Sequence, residues 1–115
     1  MTKQISNNKN SDTMMTVKVT YTVKQEYIET NKEMITRFLE DFKSLKTEPF
    51  LYSVYLKEDG ATFVHLSQYS SKQAQNDLLQ VPSFVAFQER RDQHMASEHQ
   101  LEVLDFIGSS KDTVF

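Results

Sequence analysis

Phe50-Leu51-Tyr52-Ser53-Val54-Tyr55-Leu56-Lys57-Glu58-Asp59-Gly60-Ala61-Thr62-Phe63-Val64-His65-Leu66-Ser67-Gln68-Tyr69 is the stretch that decides the fold. Two runs rich in aromatic and β-branched residues flank Glu58-Asp59-Gly60. Asp-Gly between such runs is a strong hairpin signal, because both residues tolerate positive φ. Phe50 to Lys57 and Thr62 to Tyr69 therefore read as two antiparallel strands. Phe50, Tyr52, Val54 and Leu56 share one face of the first, and Leu51 and Tyr55 lie on the other. In the second, Phe63 and His65 alternate with Val64 and Leu66. Both faces of the hairpin are thus apolar. One layer of helices covers only one face of a sheet, so something else must cover the second. A second copy of the chain is the economical answer, which predicts a homodimer paired through the open sheet face.

Upstream, Val17, Val19, Tyr21 and Val23 alternate with Lys18, Thr20, Thr22 and Lys24, the period of a half-buried strand. Thr30 and Glu33 have the spacing of a capping box, which predicts a helix start there. Met34, Ile35, Phe38, Leu39, Phe42 and Leu45 continue it as one apolar stripe, and Pro49 ends it. Downstream, Ser70 and Gln73 repeat the capping-box spacing before a short helix over 72–79. Pro82 suits the first turn of a new helix, carried to about residue 96 by Phe84, Val85, Phe87, Arg91 and Met95. Gln100 to Ile107 reads as a last strand, terminated by Gly108.

The order β-α-β-β-α-β predicts an α+β, ferredoxin-like domain with a four-stranded antiparallel sheet and helices on one face. The expected divisions are a disordered N-terminal tail over 1–13, the domain over 14–108 and a C-terminal tail over 109–115. Residues 1–13 hold a single large aliphatic residue besides Met1, Ile5, too little apolar surface to offset the entropy of ordering. Val114 and Phe115 are candidates for a short edge strand or a contact with a partner.

Composition excludes several classes. The 115 residues suit one domain and are too few for two independent cores. No cysteine is present, which removes disulfides, thiolate nucleophiles and cysteine-based metal sites. No apolar run is long enough to span a bilayer and Lys3 is followed by no hydrophobic stretch, so no membrane partner is expected and the cytoplasm is the default location. With 13 basic against 16 acidic residues, and with charges interleaved as in Glu89-Arg90-Arg91-Asp92, the chain lacks the basic patch of a nucleic-acid binder. Its third-strand segment Asp59 to Leu66 has an acid where RNA-recognition domains carry a base, and Ala61 at the first stacking position. No Gly-rich phosphate loop, nucleophile elbow or carboxylate cluster occurs.

Two segments carry a resemblance. Phe63-Val64 followed five residues later by Tyr69, and Pro82-Ser83-Phe84-Val85-Ala86-Phe87 after it, resemble the dimeric α/β-barrel superfamily, in its antibiotic-biosynthesis-monooxygenase-like branch. The resemblance spans about residues 14–108. It implies two sheets facing each other across a dimer, with a small pocket between sheet and helices in each subunit. It also implies an oxidoreductase: a monooxygenase acting on an aromatic or quinol-like substrate without a dedicated cofactor. Catalytic members often carry a histidine four residues before the helix-starting proline, where this chain has Leu78. Haem-degrading members use a tryptophan, and this chain has none. A non-catalytic ligand-binding or structural homodimer is the alternative, and a haem-binding protein a third, disfavoured by the missing tryptophan.

His65 is the candidate catalytic residue, because its ordinary pKa suits proton transfer near neutrality. The competing reading is a strand histidine hydrogen-bonded inside the barrel or interface. Tyr21, Tyr52 and Tyr69, with Asn76 and Phe87, are the candidate ligand-binding residues: phenols stack on aromatic ligands and donate hydrogen bonds, and an amide polarises a ligand oxygen. No metal site is expected. His94 and His99 are five apart, and a helix face needs three or four. His94 with Glu98 has that spacing, but a helix-end histidine is explained by the dipole.

Overall fold

The computed structural model describes residues 14–115; the tail expected over 1–13 lies outside the described residues. The elements are β1 Met15–Thr22, a 3₁₀ turn Gln25–Tyr27, α1 Ile28–Lys43, β2 Phe50–Leu56, β3 Thr62–Tyr69, α2 Lys72–Leu79, α3 Pro82–Asp92 and β4 Gln100–Leu104. The sheet is antiparallel in the order β2-β3-β1-β4, the ferredoxin-like arrangement. The hairpin strand β3 and the helix α2 occupy the spans read from the sequence.

Several starts and ends differ. Helix α1 begins two residues before the expected cap: Tyr27 is the N-cap residue and no side chain caps it. The 3₁₀ turn in front of it is pinned from afar, by the Lys24 amide donating to the His94 carbonyl at 2.9 Å, and Ile28 is buried. The Thr30–Glu33 spacing therefore falls inside the helix. At α2 the cap is Ser71, whose hydroxyl accepts from the Ala74 amide at 3.2 Å, one position after the expected Ser70. Ser70 instead donates to the Pro49 carbonyl at 2.6 Å. Helix α3 stops at Asp92 and β4 at Leu104, both short of expectation.

The hairpin turn is as its residues dictate. Gly60 has φ of +74°, and the Asp59 carboxylate accepts from the amides of Ala61 and Thr62 at 2.9 and 2.8 Å and from the Thr62 hydroxyl at 2.6 Å. These bonds hold the exposed Asp59 carboxyl below the usual carboxylate range.

The register assigns the faces. Tyr21 pairs with Phe63, Val19 with His65 and Val54 with His65, so these residues point to one side. That side meets the helices. The buried stripe of α1 runs through Ile28, Asn31, Ile35, Phe38 and Phe42, and that of α3 through Phe84, Phe87 and Arg91. Phe38 packs on Phe84 and Phe87 at ring-centroid distances of 5.0 and 4.9 Å. The helices stop short of β4: Leu101 and Val103 pair with Val19 and Val17, yet are 60% and 74% exposed. On the opposite face Leu51 and Tyr55 are exposed and Val64 and Leu66 half-buried. Lys18 and Glu102 form a cross-strand ion pair at 3.9 Å on that same face.

Candidate functional site

His65 stands on β3, between β1 and β2, and its side chain enters the helix-facing core. It is only 2% exposed. Its register partners are valines, which give its ring nitrogens nothing to bond. The bonds come from the diagonals. Tyr21 is paired with Phe63, two residues away on the same face, and its hydroxyl lies 2.7 Å from His65 Nε2. Tyr52 is paired with Ser67, two residues away on the other side, and its hydroxyl lies 2.8 Å from His65 Nδ1. Long side chains reach across such diagonals in an antiparallel pair. Asn31 of α1 extends the chain: its Nδ2 donates to the Tyr21 hydroxyl at 3.0 Å.

The result is a continuous file, Asn31–Tyr21–His65–Tyr52, closed in by aromatic rings. Phe87 stacks on the imidazole at 5.4 Å and Phe38 lies 6.1 Å from it. The Arg91 guanidinium sits 5.2 Å from the Tyr21 ring centroid and 5.4 Å from that of Phe87, and bonds Asp92 at 2.9 Å. This is a desolvated cation over aromatic faces.

Burial sets the electrostatics. Desolvation, aided by the nearby Arg91 charge, pushes the His65 pKa down to about 3. Desolvation likewise pushes the phenols of Tyr21, Tyr52 and Tyr69 up. All the members of the file are neutral at pH 7. An imidazole with such a pKa is a poor standing base, but it can take a proton at one nitrogen while releasing one from the other.

Of the residues singled out from sequence, His65, Tyr21, Tyr52 and Phe87 come together. Tyr69 is buried on the same face of β3 but pairs with Phe50 and Met15, at the end of the strand. Asn76 does not join them. The buried positions of α2 are Ala74 and Leu78, four apart, and Asn76 falls between them on the exposed face. Two residues of the site were missed: Asn31 and Arg91. Each is a polar residue on an apolar helical stripe, Asn31 one turn before Ile35 and Arg91 four after Phe87, and that interruption was the available signal.

No opening leads straight to His65 among the described pockets. A groove of about 640 Å³ lies between the second half of α1 and the start of β2, lined by Leu39, Phe42, Leu45, Phe50, Leu51 and Tyr52, with Glu40, Lys43 and Glu48 also lining it. Tyr52, half-buried, belongs to both the groove and the file. His94 lies apart, stacked on Tyr27 at 4.1 Å with its Nδ1 donating to the Arg90 carbonyl at 2.8 Å, a helix-end role. Among the described residues, no three metal-ligating side chains converge and no helix is long and apolar enough to cross a membrane.

No protein-family model matches the chain, and no curated relative matches it. Solved structures do match. A protein from Caulobacter crescentus, described as a "putative antibiotic biosynthesis monooxygenase", superposes with a TM-score of 0.70 at 21% identity, covering 89% of this chain and 97% of that one. Proteins so described from Nitrosomonas europaea and Bacteroides thetaiotaomicron superpose with TM-scores of 0.71 and 0.72 at 14% and 13% identity. The first covers 82% of this chain and 90% of its own, the second 91% and 98%. At such identities the likeness establishes the fold, and the fold is that of the antibiotic-biosynthesis-monooxygenase-like proteins.

Proposed function

We propose, on the premise of that shared fold, that this chain is a small-molecule-binding homodimer acting as a cofactor-independent monooxygenase on a phenolic or quinol-like substrate. The observation that carries the reading is the buried file Asn31–Tyr21–His65–Tyr52, whose half-buried end, Tyr52, also lines an apolar groove. A buried hydrogen-bonded file is costly unless every member is satisfied, and proton movement is a use that repays it. An anthrone-type substrate states the chemistry: a methylene between two aromatic rings and dioxygen give a carbonyl and water. The chain's part is to hold the ring in the groove against Phe42 and Phe50 and to move a proton through Tyr52 and His65. The dimer reading rests on the exposed Leu51 and Tyr55 beside Val64 and Leu66, an apolar half-sheet left uncovered by the described residues.

Oxygen uptake with a panel of quinols and anthrones tests the reading. Turnover above the uncatalysed rate is expected, and Tyr52→Phe, which keeps the ring and removes the hydroxyl, lowers it about 100-fold. A panel without turnover sinks the monooxygenase reading. One observation favours a second reading, a non-catalytic homodimer: both His65 nitrogens are already satisfied and the imidazole is sealed from the groove by rings. Binding of the same aromatics without oxygen uptake would favour it.

A further inference from the structure

Strand β2 is one edge of the sheet and pairs with β3 alone. The Lys57 amide donates to the Thr62 carbonyl at 2.8 Å, and the Pro49 carbonyl accepts from the Ser70 amide at 3.0 Å. Bonded and non-bonded pairs alternate along an antiparallel ladder, so Leu51, Ser53 and Tyr55 also bond β3. The amides and carbonyls of Phe50, Tyr52, Val54 and Leu56 therefore point outward, and they meet no backbone partner among the described residues. Sheet edges are normally guarded by charge, by proline or by a covering element. Phe50–Leu56 holds no charge and no proline, and the groove between its start and α1 leaves the edge without a roof there. The other edge, β4, carries Glu102.

We infer that β2 pairs antiparallel with β2 of a second copy across a two-fold axis at Ser53, an interface separate from the open sheet face. The strand is self-complementary in that register. On the helix-facing side Phe50 falls opposite Leu56 of the second copy and Tyr52 opposite Val54. On the other side Leu51 falls opposite Tyr55, and the two Ser53 residues face each other. Each aromatic ring thus meets an aliphatic side chain, a favourable cross-strand pair. The four outward residues of each strand become the bonded pairs, so their free amides and carbonyls are all satisfied. A slip by two residues would leave Phe50 or Leu56 unpaired. One step past the strand, Lys57 falls opposite Pro49 and beside Glu48 of the second copy, placing opposite charges together at each end of the seam. Leu56, 40% exposed in the single chain, then stands at the Phe50 end of the second copy's groove, so each copy adds a wall residue to the other's site. Seven residues a side are fewer than the about 20–30 of a standard stable interface, so the seam is weak alone and joins open-face dimers into a tetramer above micromolar concentration.

The chain has no cysteine of its own, so Ser53→Cys places a single thiol on the axis. Non-bonded antiparallel pairs stand about 4.5 Å apart at Cα, within disulfide reach. Under mild oxidation well above micromolar concentration, most of the Ser53→Cys chain is expected to become a covalent dimer, while Glu29→Cys, exposed on α1, stays largely reduced. A Ser53→Cys chain that does not link overturns the inference. Adding Leu56→Pro removes an outward amide and leaves the β3 ladder intact, and it is expected to abolish the link. Adding Leu66→Glu, on the open face of β3, is expected to keep it. A link that survives Leu56→Pro or vanishes with Leu66→Glu overturns the edge pairing. Mixing the Leu51→Cys chain with the Tyr55→Cys chain reads the register: a mixed disulfide is expected in preference to either self-linked product, and its absence overturns the pairing. That mixture decides the matter if Leu56→Pro does not fold. None of these readouts involves turnover, so a silent quinol panel leaves them unchanged.

Discussion

The hydroxyl of Tyr21 lies 2.7 Å from Nε2 of His65, although the two residues are not register partners and stand 44 positions apart in the chain. The bond exists because β3 carries His65 between two strands whose tyrosines sit one diagonal away on the same face. Removing the imidazole would strip both tyrosines of their partner and leave a cavity against Phe38 and Phe87. His65→Ala is expected to cost about 3–5 kcal/mol of stability, measured by urea unfolding.

Acid sensitivity follows from the same burial. The folded pKa of His65 is depressed to about 3, whereas the unfolded chain titrates near the ordinary 6.5. Between those values the unfolded state binds a proton that the folded state refuses. The neutral histidine therefore costs nothing above pH 6.5, and stability falls as pH drops from 6.5 toward 3, by up to about 1.4 kcal/mol per pH unit. Urea midpoints from pH 7 to 4.5 should show this slope, and His65→Leu should flatten it.

Arg91 makes part of that depression, through its charge, and braces Tyr21 and Phe87 with its guanidinium. Arg91→Met keeps much of the apolar stem. It is expected to lose about 2 kcal/mol and to raise the His65 pKa, so that acid unfolding protonates the folded state earlier. Histidine titration by NMR reads the second effect directly.

Gly60 occupies left-handed backbone at φ +74° with open space around it. The restriction on a side chain there is conformational and not steric crowding from neighbours. Gly60→Val should cost about 1–2 kcal/mol. A thermal melt should show a drop of about 4–8 °C for each of those kilocalories.

Tyr55 is 57% exposed in the middle of the apolar half of the open sheet face. A carboxylate placed there would lie in the seam of the proposed dimer. Tyr55→Glu is expected to shift the protein from dimer to monomer at micromolar concentration by light scattering. A wild-type protein that is already a folded monomer under those conditions would contradict the pairing.

Local chemistry explains which parts of the fold were legible. Asp59 and Gly60 make their turn with bonds to neighbours two and three residues away, so the hairpin needed nothing distant. The span of β3 followed from its alternation. The start of α1 was not legible, because the Lys24 amide that pins the turn before it answers a carbonyl at His94. Asn76 was drawn into the site on its residue type alone, and the 3.6-residue geometry of α2 turns it to solvent. Leu101 and Val103 face the helix side of the sheet and are exposed, and no sequence pattern states where the helix layer ends.

The sequence by itself determined the strand and helix order, and with it the ferredoxin-like sheet, because periodicity, turn residues and proline positions act over a few residues. It also marked Phe50 to Tyr69 as apolar on both faces. Only the tertiary structure decided which face His65 takes, that Tyr21 and Tyr52 meet its two nitrogens from opposite strands, and that Asn31 joins them from a helix. Those contacts depend on register and on how a helix lies across a sheet, quantities set by the packing of the whole core.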